Sequence, residues 1–295
     1  MRCNIGSEFS ACCWAAQPVS KIASARSKQC KGRTKYSALV FLGKLSPMST
    51  EKITEPSTTK IVISFIVPAY NEEAELPGTL HAIRSAAVGY EHEIVLVNDG
   101  STDATGAIGE EFGARVISID RRQIAAARNA GAAAARGNVF IFVDADTRIG
   151  PEHVRGAVAA LERGCAGGGA RLATDREIPL WGRIFFRVFT ALYFGLNLGA
   201  GAFLFTTRQN FFAVGGFDEI YFASEEIFFT IALKRLGRFR LLREPAITSG
   251  RKLRMYSGWK IFARSLSLIF GGPRGVMSRK KLDMWYGGDR EKRIG

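Results

Sequence analysis

Cysteine is almost absent from the part of this sequence that shows regular strand and helix patterns. The 295-residue chain has five cysteines, and beyond Met48 only Cys165 remains. A single cysteine cannot form an intrachain disulfide, so the sequence predicts a protein of a reducing compartment, which we take to be the cytoplasm. The spacing of the other four matches no zinc-binding pattern. These four are Cys3, Cys12, Cys13 and Cys30.

Three features that mark other classes of protein are also missing. No Gly-x-Gly-x-x-Gly follows the first predicted strand, which argues against a dinucleotide-dependent oxidoreductase. No nucleic-acid-binding motif occurs, so we expect no nucleic acid partner despite the net charge of +14. The most apolar stretch, 181–205, makes a poor membrane span because Arg183, Arg187 and Asn197 interrupt it.

Acidic residues are scarce before Met48, where Glu8 stands alone against eight lysines and arginines. This leaves a net +7, half of the charge of the whole chain. Residues 1–60 are rich in serine and lack the continuous apolar core of a secretory signal. We interpret them as a basic, disordered extension, either an organelle transit peptide or sequence upstream of a true start at Met48. The second interpretation is favoured, because a polar linker leads from Met48 directly into the first strand.

The sequence that follows alternates between apolar runs and amphipathic segments. Hydrophobic residues make up 47% of the chain, enough to bury a sizeable core. The alternation over 61–165 predicts an α/β fold with a doubly wound, mainly parallel sheet and helices on both faces. Five consecutive apolar residues, Val139–Val143, are typical of a central strand. Further elements are expected at 151–163 (helix), 167–173 (strand), 202–206 (strand), 225–236 (helix) and 240–248 (strand).

Two carboxylates, Asp144 and Asp146, come directly after the central strand. They fall at the carboxyl edge of the sheet, where open α/β sheets bind ligands. Hard oxygen donors two residues apart suit a divalent cation that carries a diphosphate. Taken alone, the pattern also fits two acidic residues that merely form a turn.

Two other loops repeat the design of a strand followed by polar residues. After the strand 61–67 come Pro68, Tyr70 and Asn71, and we expect Asn71 to cap a helix whose first turn is acidic. After the strand 93–97 comes Asp99, with Gly100 permitting a tight turn. Asp99 could accept an N–H group of a pyrimidine base while Tyr70 stacks on its ring. The alternative is a pair of Asx turns that bind no ligand.

Together these segments resemble the family 2 glycosyltransferases, whose fold is of the GT-A type. The resemblance runs from about Ile61 to Arg254. It is carried by VPAYNEE at 67–73, VNDGSTDAT at 97–105, AAARNAG at 125–131, DADTRI at 144–149 and GGFDE at 215–219.

The resemblance implies a donor site for a nucleotide-sugar and a bound Mg²⁺ or Mn²⁺. Asp144 and Asp146 would hold the metal and the pyrophosphate. Arg128, at the family's Arg-Asn position, would lie near the donor, whereas an exposed cation on an alanine-rich helix is the alternative. The nucleotide-binding residues that follow from the resemblance are Pro68, Tyr70, Asn71, Glu73, Asp99, Arg128 and Asp144.

Family members usually carry Glu-Asp at the start of a helix after the GGF segment, and this sequence has Glu225-Glu226. By alignment to that motif we expect Glu226 to be the catalytic base, with Glu225 as second choice. Such a base needs one carboxylate within reach of the acceptor hydroxyl. The alternative is that both glutamates only favour a helix N-terminus.

A second departure from the family concerns the metal. Many GT-A enzymes have a histidine ligand after the strand that follows this helix, but 245–252 contains none. Arg251 or Lys252 could instead neutralise the diphosphate. The three histidines, which lie upstream, are expected to be surface residues. They are His81, His92 and His153.

Two aromatic and basic stretches, 181–199 and 258–270, have the composition of helices that lie in a membrane interface. In the first, Trp181, Phe185, Phe189 and Leu192 share one predicted face. Residues 255–295 are expected to form a basic amphipathic helix and tail outside the catalytic domain, 61–254. Ordinary helices packed on that domain are the alternative.

We therefore predict an inverting, metal-assisted glycosyltransferase that moves one sugar from a nucleotide-sugar to an acceptor hydroxyl. A UDP-sugar is favoured over GDP-mannose as donor, and the acceptor is unknown, with lipid-linked molecules included. The Gln-x-x-Arg-Trp motif of processive family members is missing, so one sugar is expected per encounter. The alternatives are a catalytically silent nucleotide-sugar-binding or membrane-scaffold protein, and a nucleotidyltransferase. We expect a cytoplasmic protein that can contact the cytoplasmic face of the membrane.

Overall fold

The structure is a computed structural model, which describes residues 60–175 and 178–255. These residues form eight strands and eight helices, which alternate along the chain except that β5 follows β4 and α7 follows α6. The strands are β1 Val62–Ala69, β2 Glu91–Asp99, β3 Arg115–Ile119, β4 Val139–Val143, β5 Thr147–Arg148, β6 Gly167–Thr174, β7 Phe203–Thr207 and β8 Phe239–Thr248. The helices are α1 Leu76–Ala86, α2 Thr105–Glu111, α3 Ile124–Ala134, α4 Pro151–Glu162, α5 Leu180–Gly195, α6 Arg208–Ala213, α7 Glu225–Leu236 and α8 Arg251–Met255.

All eight strands form one sheet in the order β3-β2-β1-β4-β7-β6-β8-β5. The first four run parallel, with β4 in the middle of the sheet. Strand β7 is antiparallel to both β4 and β6, and β5 is antiparallel to β8, whereas β6 and β8 are parallel. The parallel half matches the prediction, and the antiparallel pairs make the complete sheet mixed.

Helices cover both faces of this sheet, as predicted. Side chains alternate along β4, so that Ile141 packs with helices α1 and α4 while Phe140 and Phe142 pack with α3, α6 and α7. Because both faces are buried, β4 must be apolar throughout, which explains its uninterrupted run. The two cores hold the carboxyl ends of β1, β2 and β4 side by side.

The helix after β1 begins later than expected. Asn71 is not its cap: α1 starts at Leu76, and Asn71 has a left-handed backbone with φ of 51°. Pro77 lies in the first turn of α1. Proline is favoured there because backbone N–H groups in the first turn have no acceptor within the helix, so the absence of one costs nothing. Residues 70–75 therefore form a loop at the sheet edge. The turn after β2 is as predicted, with Gly100 at φ of 69°.

The predictions for residues 1–59 and 256–295, including the second aromatic stretch, lie outside the described residues. Within the described part, no helix combines the length and the apolar character needed to cross a membrane.

Candidate active site

A cavity of about 440 Å³ opens at the carboxyl ends of β1, β2 and β4. Most of the residues singled out from sequence line it, although they come from loops far apart in the chain. Those lining it are Pro68, Tyr70, Asp99, Arg128, Asp144, Asp146, Glu225, Glu226 and Arg251. Asn71 and Glu73 are not among the lining residues.

Asp99 is buried at the end of β2 and organises the loop after β3. Its Oδ1 accepts the backbone N–H groups of Arg121 and Arg122 at 2.7 and 2.8 Å, and its Oδ2 accepts that of Gln123 at 2.7 Å. A carboxylate with three N–H donors is fixed in orientation. Asp99 thus holds residues 121–123 against the cavity, a contact that the sequence did not reveal.

Tyr70 already has a flat, charged neighbour on its ring. The guanidinium carbon of Arg122 lies 4.3 Å from the ring centroid, and its Nη1 donates to the Tyr70 hydroxyl at 2.6 Å. The guanidinium is therefore held by cation–π attraction and by a hydrogen bond. Sequence reasoning missed Arg122 because strand β3, which places it at the sheet edge, was not among the predicted strands.

Asn71 and Glu73 do not line the cavity but form hydrogen bonds that join the loop after β1 to the loop after β2. The Asn71 side-chain oxygen accepts the N–H of Thr102 at 2.8 Å, and Glu73 Oε2 accepts that of Ala104 at 3.1 Å. Their prediction as nucleotide contacts is therefore not supported by their placement. Glu72, between them, lines the cavity. The sequence does not distinguish these three adjacent polar residues from one another. Which side chain points into the cavity depends on the backbone geometry of the loop.

Arg128 is 1% exposed, so it is not the surface cation that was the alternative from sequence. Its Nη1 donates to Glu225 Oε1 at 2.5 Å and its Nη2 to Asp144 Oδ1 at 2.9 Å. Gly201 makes room for it, since a Cβ there would lie 2.5 Å from Nη2. Arg128 thus neutralises one acidic residue from the loop after β4 and one from the start of α7.

The two glutamates at the start of α7 have different surroundings. Glu225 is buried and paired with Arg128. Glu226 has the Tyr193 hydroxyl 3.4 Å from its Oε1 as a donor. Burial raises the pKa of Glu226 to about 8, and the neighbouring charge of Glu225 adds to this while Arg128 opposes it. A carboxyl group with such a pKa takes up and releases protons near neutral pH.

Asp144 and Asp146 both retain partial exposure to the cavity, with 27% and 19% of their side chains accessible. Arg128 pairs with Asp144, and Arg251 Nη2 lies 3.4 Å from Asp146 Oδ2. In the described part of the chain, no group of three or more His, Cys, Asp or Glu residues is placed to hold a metal. Two accessible carboxylates nevertheless fit a Mg²⁺-type ion, which draws its other ligands from phosphates and water.

Arg251 lies at the start of α8 and forms a forked ion pair with Glu72. Its Nη1 donates to Glu72 Oε2 at 2.7 Å, and its Nη2 donates to Glu72 Oε1. Arg251 therefore brings a guanidinium, paired with Glu72 and close to Asp146, to this end of the cavity. The side chain of Lys252 lies outside what the structure describes.

His153 does not lie on the surface as expected. It is 3% exposed, its Nδ1 accepts the N–H of Gly150 at 3.0 Å, and its ring packs on Phe203. It follows a proline at the start of α4, where a side chain that accepts a backbone N–H stabilises the helix N-terminus. His81 and His92 are exposed as predicted.

Solved structures share this fold. The mannosyltransferase PcManGT from Pyrobaculum calidifontis, in complex with GDP-Man and Mn²⁺, superposes with a TM-score of 0.55 at 20% identity, covering 70% of this chain and 62% of that one. TarS 1–349 of S. aureus in complex with UDP gives 0.52 at 21% identity, covering 64% and 60%. These likenesses confirm the GT-A type of fold.

Among curated proteins, the chain is similar to the dodecaprenyl-phosphate galacturonate synthase of Rhizobium johnstonii. The two are 33% identical over 119 residues, which is 37% of this chain and 35% of the relative. The chain thus spans about a third of the length of the curated relatives that it matches first. The family model described as Glycosyl transferase family 2 matches residues 64–222, more than half of the sequence. The chain therefore belongs to glycosyl transferase family 2.

Proposed function

We propose that this protein transfers one sugar from a nucleotide-sugar, most readily a UDP-sugar, to an acceptor hydroxyl with inversion at the anomeric carbon. The observation that carries the proposal is that one cavity collects Asp99, Asp144, Asp146 and Glu226 from three separate segments, namely the end of β2, the loop after β4 and the start of α7. Nucleotide-sugar or nucleotide complexes of proteins with this fold support the donor class.

The donor would occupy the cavity from β2 towards α7. Tyr70 would stack on the base and Asp99 would meet its edge, with Pro68 beside them in the lining. Asp144 and Asp146 would hold Mg²⁺ or Mn²⁺, and the metal would offset the charge that builds on the leaving diphosphate. Arg251 would contribute to the same end of the cavity, and Lys252, which follows it in sequence, stays a prediction.

Glu226 is the proposed base. Its neighbour Glu225 is committed to Arg128, so Glu226 is the glutamate of the pair that is left to exchange a proton with an acceptor. Its raised pKa makes it a stronger base than an ordinary glutamate. Glu226 itself lines the cavity in which the acceptor would bind.

The pH dependence of transfer follows from this assignment. Glu226 must be ionised to accept a proton, and its pKa is raised to about 8. We expect kcat/KM to rise with pH and to level off above about pH 8, because roughly a tenth of the carboxyl groups are ionised one unit below the pKa. A rate profile measured with saturating metal checks this. A flat profile between about pH 6 and 9, with unchanged UDP affinity, would remove Glu226 as the titrating base.

Tyr193 of α5 is expected to position this base. Its single hydroxyl proton is shared between Gly199 O at 2.9 Å and Glu226 Oε1 at 3.4 Å. A donor to the ionised carboxylate lowers its pKa, so Tyr193→Phe should move the acid limb of the rate profile up by roughly half a pH unit and lower kcat. Thr190→Val is the matched control, since Thr190 lines the same wall but donates to Phe186 O. If the acid limb of the rate profile of Tyr193→Phe lies at the same pH as that of the wild type, Tyr193 does not position the base.

A thermal-shift screen of UDP, GDP and their sugars, with and without Mn²⁺, tests the donor site. Ligands that bind the folded state raise Tm by mass action, about 2.7 kcal/mol of stability at a hundredfold excess over Kd. We expect UDP to give a larger shift than GDP and Mn²⁺ to increase it. Asp146→Asn should lose the metal-dependent part of the shift. The donor assignment fails if no nucleotide produces a shift.

A catalytically silent nucleotide-sugar-binding protein is the second candidate. The observation that favours it is that each of the two carboxylates proposed to hold the metal is paired with an arginine. Asp144 pairs with Arg128, and Asp146 pairs with Arg251. The two functions differ in one measurement, the release of UDP from UDP-sugars. If nucleotides raise the Tm of the protein but no UDP-sugar is cleaved to release UDP, the protein is the catalytically silent binder.

A further inference from the structure

Helix α5 forms one wall of the cavity and presents a second, apolar surface to the outside. Its inner side contributes Phe186, Thr190, Tyr193 and Phe194 to the cavity. Its outer side carries large apolar side chains that are each more than half exposed. These are Leu180, Ile184, Val188 and Leu192, followed by Leu196 just after the helix end. We call these five residues the α5 stripe.

The residues of the α5 stripe recur every fourth position, so neighbouring side chains touch while each is turned about 40° from the one before, and Leu180 to Leu192 cover about 120° of the helix surface. At 1.5 Å per residue the stripe is about 24 Å long. The apolar face expected from sequence began at Trp181 and Phe185, but both are partly buried. Leu192 of the expected face is exposed and belongs to the α5 stripe, and the side chain of Phe189 lies outside what the structure describes. Scattered apolar residues are normal on a protein surface, whereas a continuous stripe marks an interaction surface.

The charged residues of α5 itself have one sign. Arg183 and Arg187 are exposed on the same helix, and no aspartate or glutamate occurs between Ile178 and Phe217. A helix with exposed apolar residues and arginines beside them is suited to the boundary between lipid headgroups and acyl chains, above all where anionic lipids add attraction. A second copy of the chain would bring like charges together at this surface.

We propose that the α5 stripe seats this protein on an anionic bilayer, with α5 lying along the surface, and that the cavity takes a lipid-linked acceptor from there. The second part rests on the proposed function. With 16 residues and two arginines, α5 is shorter than the roughly 20 apolar residues of a spanning helix. Its inner side places Tyr193 beside Glu226, so an acceptor that enters along α5 reaches the base.

Flotation with lipid vesicles tests the surface. The full chain is mixed with vesicles of phosphatidylcholine alone or with about 30% phosphatidylglycerol, and we expect enrichment on the anionic vesicles. Ile184→Ser/Val188→Ser/Leu192→Ser should weaken vesicle partitioning at least tenfold. Arg183→Gln and Arg187→Gln should each weaken it roughly fivefold, and only on anionic vesicles. Val88→Ser/Leu236→Ser, which removes exposed apolar residues elsewhere, should have no effect.

Two outcomes overturn the proposal. One is equal vesicle binding by the wild type and the triple serine variant. The other is a dimer of the wild type, measured by light scattering without lipid, that becomes a monomer in the triple variant, since the stripe is then a contact between copies. The UDP-induced thermal shift is measured on the same proteins. If the triple serine variant loses vesicle binding and keeps its UDP-induced thermal shift, the substitutions have changed the α5 stripe and not the donor site. If the wild type shows no UDP-induced shift, the proposed donor site is wrong, whatever the vesicle result.

Discussion

Glu226→Gln is expected to lower the rate of sugar transfer by roughly 10² to 10⁴-fold while UDP binding stays intact. The amide has nearly the shape of the carboxyl group but cannot accept a proton. Glu226 lines the cavity and its burial keeps it basic, so the loss should appear in kcat and not in the Kd for UDP. Transfer rates with a hydroxyl acceptor and the thermal shift with UDP measure the two effects separately.

Glu73→Gln is the matched control for this variant. Glu73 belongs to the same sequence motif as Pro68 and Tyr70 but accepts a backbone N–H group of a neighbouring loop. The transfer rate of Glu73→Gln should therefore stay within about twofold of that of the wild type. If Glu225→Gln stops transfer and Glu226→Gln does not, the base is Glu225. If Glu225→Gln and Glu226→Gln both keep their full rate, the nucleophile needs neither glutamate as a base. An ionised phosphate would be such a nucleophile.

Arg128→Ala should cost about 3–5 kcal/mol of unfolding free energy, the largest stability effect that we expect in this protein. Removing the guanidinium leaves the buried carboxylate of Glu225 without its partner and empties the space next to Gly201. Charges buried without a counter-ion are far more costly than exposed ones. Denaturant titration of the wild type and the variant measures the difference.

The control is Arg121→Ala, which removes an ion pair with Glu219 in which both side chains are well exposed. Such pairs contribute at most about 1 kcal/mol. Arg128→Met/Glu225→Met replaces both charges by apolar groups and should recover much of the loss. Equal destabilisation by Arg121→Ala and Arg128→Ala would show that the buried pair has no special energetic role.

The core strands and several helix limits were predictable because burial imposes simple patterns. Strand β4 is apolar at every position because helices cover both its faces, and α7 spans Glu225–Leu236 as expected. The carboxyl edge of the sheet then had to carry Asp99, Asp144 and Asp146. These conclusions needed only the local sequence and the rule that parallel strands end at one edge.

The loops were predicted less well, because a loop residue has no periodic pattern to fix its direction. Glu72 and Glu73 are chemically identical neighbours, yet one lines the cavity and the other braces a loop. His153 is polar and was expected outside, but an N–H group of the backbone gives it a partner in the interior. Side-chain direction there depends on contacts with residues distant in sequence.

The sequence by itself determined the family, the parallel half of the sheet and the carboxylates at its edge. The tertiary structure decided how those carboxylates differ from one another. Arg128 reaches from α3 to both Glu225 and Asp144, and Tyr193 reaches from α5 to Glu226. Proton affinity depends on burial and on charges a few ångströms away, and such neighbours meet only when the chain has folded.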